Sequence, residues 1–407
     1  MIIRRVTLLG HKDHGKSTLI GNLSILTGSV TEARINDAKK TSEKLGLKFE
    51  PGFILDSFYE EREEGMTIDT TRAQVKYGED AFEFIDVPGH EELTKNMISG
   101  ASYADAALLM VSTKEDEGIK TQTKRHLFIA KMLGIERVVV AINKMDLAQY
   151  KKEKFNEIKD ELSEYLTNIG FNEKNIAFVP ISAYTGEGLT KNSANMPWYK
   201  DGSLIEMLVK FSGKKKAPSD ELVVLLQGEL GSDKKILTGK VLSGSLYVSS
   251  KVKILPSNEE LSIKQIVVRG KNVKKAVKDE NIALSIESEV SGKIRGSVLL
   301  DKDSNKKISR EIQTTIFFLR NMNGRVSILI NGSRINCKSI QINKVIDIKT
   351  GKEVRGSNIK PLGAAKALIK LENKIFMERF DSVPELGRFA IYDNDKFSGI
   401  GIVEVVK

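Results

Sequence analysis

Residues 6–18 read VTLLGHKDHGKST, an apolar strand pattern that runs into a glycine loop and then into a helix starting at the lysine. Gly10, Gly15, Lys16 and Ser17 occupy the fixed positions of GxxxxGK[ST]. Glycines let the backbone curl until successive N–H groups face inward, and the following helix adds the partial positive charge of its N-terminus; together they make a cradle for phosphate. In such a cradle Lys16 bridges the β- and γ-phosphates of a nucleoside triphosphate, and the Ser17 hydroxyl is offered to Mg²⁺.

Further segments follow downstream in the order this loop requires. Residues 61–70, EREEGMTIDT, carry Thr67 before a strand pattern, placed to reach Mg²⁺ when a γ-phosphate is present. Residues 82–90, FEFIDVPGH, form an apolar strand ending in Asp86, expected on the metal's water shell, followed by Gly89, whose N–H senses the γ-phosphate. His90 is the candidate for ordering the attacking water, whereas His14 reads as a support of the loop and His126 as an ordinary helix residue. The apolar runs 106–112 and 137–143 read as parallel strands buried on both faces, the second delivering Asn143, Lys144, Met145 and Asp146. The Asp146 carboxylate can accept both the N1–H and the exocyclic amine of guanine, which selects GTP and GDP over adenine nucleotides. Strand 176–181 then brings Ser182 and Ala183 toward the guanine O6, with Tyr184 beside them.

Strand and helix alternate to about residue 211, predicting an α/β P-loop GTPase domain with a doubly wound, mostly parallel sheet over residues 1–211. After a linker at 212–220 the texture changes to short alternating strands, predicting one β-barrel domain over 221–300 and, past the polar break at 301–307, a second over 308–407. The 407 residues are 40% hydrophobic and 29% charged, ordinary for a globular chain, and one cysteine, Cys337, excludes an internal disulfide and a cysteine metal cluster. No apolar run approaches a membrane span and no signal-peptide layout is present, so the expected compartment is the cytoplasm, with no membrane partner. The net charge of +10 is lopsided: residues 216–407 hold 34 Lys and Arg against 22 Asp and Glu, leaving 30 against 32 for residues 1–215. The basic stretch 264–278, KQIVVRGKNVKKAVK, suits either a nucleic-acid contact or a solvated lysine-rich face.

Several long segments resemble the translational GTPases of the elongation factor 1-alpha family: GHKDHGKSTLIGNL at 10–23, EREEGMTID at 61–69, DVPGHEELTKNMISGASYADAALLMVS at 86–112, NIAFVPISAYTGEGLTKNSANMPWYKDG at 175–202, and MERFDSVPELGRFAIYD at 377–393. The resemblance implies a monomeric GTP-switched carrier that hydrolyses GTP on the ribosome and bears aminoacyl-tRNA or a tRNA-mimicking rescue or release protein. It further implies a guanine-nucleotide exchange factor, and a loop carboxylate, Asp13, near the phosphates. It assigns Asp13, His14, Gly15, Lys16, Ser17 and Thr18 to the phosphates, and Asn143, Lys144, Asp146, Ser182, Ala183 and Tyr184 to the base. His90, Lys16 and Asp13 serve catalysis, and Ser17, Thr67 and Asp86 serve Mg²⁺.

Two other functions stay open on sequence: the GTPase subunit of a sulfate adenylyltransferase, which the segments 27–33, 68–77 and 236–257 resemble equally, and a guanine-nucleotide-binding regulator of low turnover. Members of the elongation factor branch usually carry valine at Lys12 and isoleucine at Met66, a pair held to form an apolar gate beside the catalytic histidine. A lysine there is expected to alter that gate. The segment 228–240, GELGSDKKILTGK, is shorter and richer in lysine than the family's glycine-rich counterpart, which points to a cargo other than aminoacyl-tRNA.

Overall fold

The computed structural model describes residues 2–46, 48–54, 71–86, 104–212, 221–231, 236–287 and 289–407. They fall into two compact units, Met1–Lys214 with Ile348–Lys352, and Lys215–Asp347 with Glu353–Lys407.

The first unit is built on strand β1 (Ile2–Leu9), the strand of the opening motif. Helices α1 (Lys16–Leu26) and α2 (Glu32–Lys44) follow, then strands β2 (Thr71–Tyr77), β3 (Asp80–Asp86) and β4 (Ala106–Ser112). Helix α3 (Thr121–Met132), strand β5 (Val138–Asn143), helix α4 (Lys152–Asn168), strand β6 (Ile176–Pro180) and helix α5 (Leu204–Ser212) complete it. The sheet order is β2-β3-β1-β4-β5-β6, and only the β2–β3 pair is antiparallel. Every residue of β4 and β5 is buried, which explains why both are apolar up to their last residues, Ser112 and Asn143, as strands covered on both faces are. β1 has β3 on one side and β4 on the other, so the strand order reverses at β1, the switch point beyond whose carboxyl end open α/β sheets place their ligands.

Past α2 the chain returns onto the first turns of α1. The Thr18 hydroxyl donates to Glu50 Oε1 at 2.8 Å, and that oxygen also accepts the Gly52 N–H at 3.1 Å. The Glu50 N–H in turn donates to Ser42 Oγ at 3.1 Å, tying this turn to α2. A Cβ on Gly21 would lie 1.9 Å from the Pro51 carbonyl oxygen, so the close approach of this turn to α1 admits glycine alone.

The second unit holds two closed antiparallel barrels. The first uses β7 (Val223–Leu230), β8 (Ile236–Ser243), β9 (Ser245–Tyr247), β10 (Lys251–Leu255), β11 (Glu259–Val268), β12 (Lys271–Val273), β13 (Lys275–Val277), β14 (Asn281–Ile286) and β15 (Val298–Asp301). Six of these run β10-β15-β7-β8-β14-β11 and close through β10–β11, while β12 extends β11 and β9 pairs with β13. The basic stretch 264–278 lies on β11, β12 and β13, with Lys264, Arg269, Lys271, Lys274 and Lys275 exposed and Lys275 Nζ 5.1 Å from the Tyr247 ring centroid.

The second barrel uses β16 (Ile308–Phe318), β17 (Val326–Ile330), β18 (Ser333–Ile346), β19 (Glu353–Val354), β20 (Gly363–Phe376), β21 (Arg388–Asp393) and β22 (Lys396–Val406). Its order is β17-β21-β22-β16-β20-β18, closed through β17–β18. Val223, Leu242, Leu255, Val298 and Leu300 of the first barrel pack with Phe376, Val383 and Leu386 of the second. Lys306 Nζ sits 3.1 Å from Glu221 and 2.6 Å from Glu378. Burial alone would depress the Lys306 pKa; the two carboxylates overcome it and raise it, keeping the ion pair charged. Among the described residues no helix is long and apolar enough to cross a membrane.

Gly21→Ala tests the packing of the turn at Pro51 on α1. Alanine gains about 1 kcal/mol of helix propensity, yet overpacking against Pro51 is expected to cost about 1–3 kcal/mol. Urea denaturation should therefore show no net gain, together with faster proteolysis at 48–54; a clear stabilisation would contradict the close approach.

Candidate functional site

The site lies at the carboxyl ends of β1, β5 and β6. Beyond β1 the chain makes a single 3-10 turn, Lys12–His14, and at Gly15 enters the left-handed region with φ +85°, from which α1 starts. A Cβ on Gly15 would stand 2.6 Å from Asn143 Nδ2, so glycine meets both a backbone and a packing demand there. The buried Lys16 ammonium donates to the carbonyls of Gly10 and His11 at 3.0 Å each, folded against its own loop. Ser17 is exposed on the first turn of α1, and the exposed Asp13 carboxylate lies 3.5 Å from His11 Nδ1.

His14 is fully buried, its Nδ1 2.8 Å from the Met110 carbonyl and its Nε2 3.0 Å from the Glu117 carbonyl. Burial lowers its pKa and outweighs the raising pull of those carbonyls, so the neutral ring is favoured and its tautomer decides which nitrogen donates. The ring is thereby packed into the support of the loop, turned toward β4 and the segment after it.

Asn143 joins the two ends of the site. Its Nδ2 donates to the His14 carbonyl at 2.8 Å and its Oδ1 accepts the Ala183 N–H at 2.8 Å, with only 2% of the residue exposed. Lys144 follows at φ +64°, and the Met145 N–H donates to the Ile181 carbonyl at 3.1 Å, fastening the 143–146 turn to β6. Ser182 and Ala183 are buried, and Ser182 Oγ accepts the Thr185 N–H at 3.3 Å, which shapes the turn carrying the half-exposed Tyr184.

The structure thus gathers Asp13, His14, Gly15, Lys16, Ser17 and Thr18 with Asn143, Lys144, Asp146, Ser182, Ala183 and Tyr184 at one edge of the sheet. Asp86 ends β3, level with Leu8 of β1. Its side chain, the Lys12 side chain, Met66, Thr67, Gly89 and His90 lie outside what the structure describes.

Three supporting residues carry no motif of their own. Asn22 Nδ2 on α1 donates to the carbonyls of Ala183 at 2.8 Å and Tyr184 at 3.1 Å. Thr113 donates its hydroxyl to the Lys144 carbonyl at 2.8 Å and its N–H to the Asn143 carbonyl at 3.0 Å. Glu117 reaches Lys144 Nζ at 2.5 Å. Burial pushes the Glu117 pKa up, but hydrogen bonds from Lys144 and Ser112, with Lys114 beyond, outweigh it and bring it down to about 2. The only sequence signal among the three is the amide of Asn22 within the otherwise apolar run LIGNL.

Against known proteins, the model described as "Elongation factor Tu GTP binding domain" matches residues 1–214, and "GTP-eEF1A C-terminal domain-like" matches residues 320–404. Elongation factor 1-alpha of Methanoculleus marisnigri is 32% identical over 98% of this chain and 96% of its own. That of Sulfurisphaera tokodaii is 34% identical over the same shares, 98% and 96%. A solved structure of Sup35 complexed with GMPPNP covers 100% of this chain and 94% of its own at 23% identity and a TM-score of 0.44.

Asn143→Ala leaves two buried backbone groups without partners, at about 1–3 kcal/mol each. Binding of a fluorescent GDP analogue is expected to weaken at least about tenfold; unchanged affinity would remove the clamp from the account. His126 on α3 supplies a pH test: burial, then Lys16, Arg125 and His11, hold its pKa down to about 4. The unfolded chain binds that proton near pH 6.5 and the folded one does not, so this contribution is complete above pH 6.5. It falls away from there to about pH 4, by roughly 2–4 kcal/mol. Urea midpoints across this window should slope less for His126→Gln than for the wild type; equal slopes would contradict the assignment.

Proposed function

The chain belongs to the elongation factor 1-alpha family of translational GTPases, and from that premise we propose that it is a GTP-switched carrier whose nucleotide sits in the crevice beyond β1, β5 and β6. The observation that carries this reading is the Asn143 bridge, which ties the glycine loop at His14 to the turn at Ala183. A phosphate cradle and a base-reading turn held by one amide suit a ligand having both a polyphosphate and a purine.

In this reading the N–H groups of residues 13–18 and the Lys16 ammonium hold the phosphates, and Lys16 leaves its contacts with Gly10 and His11 to do so. Asp146 reads the guanine edge, Ser182 and Ala183 face its O6, and Asn143, Lys144 and Tyr184 frame it. The hydroxyl of Ser17, with Thr67 and the Asp86 carboxylate, makes an all-oxygen donor set that suits Mg²⁺, which keeps several of its waters and needs few protein ligands. When bound, the ion neutralises charge on the β- and γ-phosphates. His90 orders the water that attacks the γ-phosphorus, the bond to the bridging β-oxygen breaks, and GDP and phosphate leave; Asp13 adds a carboxylate beside the loop, and Gly89 reports the loss of the γ-phosphate.

The proposed division is a GTP-binding domain at 1–211 and barrel domains at 221–300 and 308–407. The proposed partners are the ribosome, a tRNA or tRNA-mimicking protein as cargo, and a nucleotide exchange factor, with the chain acting as a monomer in the cytoplasm. Relatives named elongation factor 1-alpha that match nearly its whole length favour translation over the sulfate-activating alternative.

Asp146→Asn is expected to shift preference from GTP toward xanthine nucleotides by at least about tenfold, read by competition against labelled GDP; intact GTP affinity would overturn the base-reading role. Ribosomes should accelerate single-turnover GTP hydrolysis by the wild type. Hydrolysis that ribosomes leave unchanged would favour a low-turnover regulator instead.

A further inference from the structure

Between β4 and α3 the chain crosses the gap separating the glycine loop from the base-reading turn, and one of its residues touches both. The Glu117 side chain, 13% exposed, meets Lys144 Nζ through Oε2 at 2.5 Å and Lys114 Nζ through Oε1 at 3.4 Å. The main-chain oxygen of the same residue lies 3.0 Å from Nε2 of the buried His14. Thr113, four residues earlier, adds its two bonds to Asn143 and Lys144, so the segment is anchored where it must hold.

We propose that Glu117 is a positioning residue for guanine-nucleotide binding, fixing the Lys144 side chain for the base while bracing the phosphate loop through His14. The physical case rests on freedom and charge. Lysine is a point charge on a four-carbon stem, and a stem left free must be ordered each time a ligand binds. A carboxylate held in place beforehand carries that ordering into the folded protein, so the pocket meets its ligand already arranged. The same carboxylate offsets the positive charge of the partly buried Lys144 through one oxygen and meets the exposed Lys114 through the other. Because the brace runs through side chain on one side and main chain on the other, removing the carboxylate affects the base end and leaves the His14 contact standing.

The inference rests on the assignment of Lys144 to the guanine pocket, and its test separates the two. GDP affinity of the full chain is measured with a fluorescent analogue for wild type, Glu117→Gln, Lys144→Gln and the double variant, with thermal unfolding followed in parallel. Glu117→Gln is expected to weaken GDP binding about tenfold in the wild-type background and by less than about twofold once Lys144 is already replaced. Equal losses in both backgrounds would reduce Glu117 to a structural residue and overturn the proposal, as would no loss in either. If Glu117→Gln does not fold, Glu117→Asp enters the same cycle, keeping the charge while shortening the reach; coupling with Lys144 supports the proposal and additivity overturns it. Failure of the wild type itself to bind GDP would instead overturn the guanine reading, and this inference with it.

Discussion

A primary amide with both ends committed is the constraint on which the proposed nucleotide site depends. Asn143 has one acceptor and one donor group, and the fold spends them on two loops that the sheet alone leaves unconnected: the His14 carbonyl after β1 and the Ala183 N–H after β6. Burial excludes competing water, so each bond is stronger than on a surface and more costly to lose. The glycine at position 15 follows from the same contact, since the amide nitrogen occupies the space a Cβ would need. Asn22 repeats the device from the other side, binding the carbonyls of Ala183 and Tyr184 to α1. The site is therefore a set of strand ends laced by side-chain amides, and its precision comes from helices and strands rather than from the loops themselves.

The second unit solves a different problem. Each barrel closes its sheet, removing the unpaired edges that an open antiparallel sheet would present. The two then share an apolar cluster that includes Phe376 and Val298, and Lys306 bridges Glu221 and Glu378. Some of the lysine on the barrels is paired locally, as in Lys240–Asp279, Lys302–Glu260 and Lys370–Glu311. The surplus at Lys264, Arg269, Lys271 and Lys274 is spread over β11, β12 and the adjoining turns, where these residues are exposed.

The sheet of the first unit was legible because burial on both faces writes itself as uninterrupted apolar runs, and β4 and β5 are apolar up to their final residues, Ser112 and Asn143. The glycine loop and the helix that starts at Lys16 were legible because glycine, lysine and serine are each required by separate physical demands at fixed spacing. By contrast, β18 went unread: among its 14 residues only Ile335 and Ile346 are buried, and register shifts at Cys337/Ser339 and Ile342/Lys344 break the period of two that marks a strand. Glu117, Thr113 and Glu50 went unread for another reason. Their partners lie 27, 31 and 32 residues away, and a polar residue on a turn carries no mark in sequence of what it will meet.

The junction of Glu50, Pro51 and Thr18 has a bearing on how this chain can be recombined with its relatives. Position 21 tolerates no side chain because of a carbonyl thirty residues downstream, and the hydroxyl at position 18 is claimed by a carboxylate from the same turn. Helix α1 and the turn at 50–52 are therefore fitted to each other: a chimaera that exchanges residues 28–54 alone would set a foreign turn on a surface cut for this one, and only a graft taking residues 16–54 together keeps that fit.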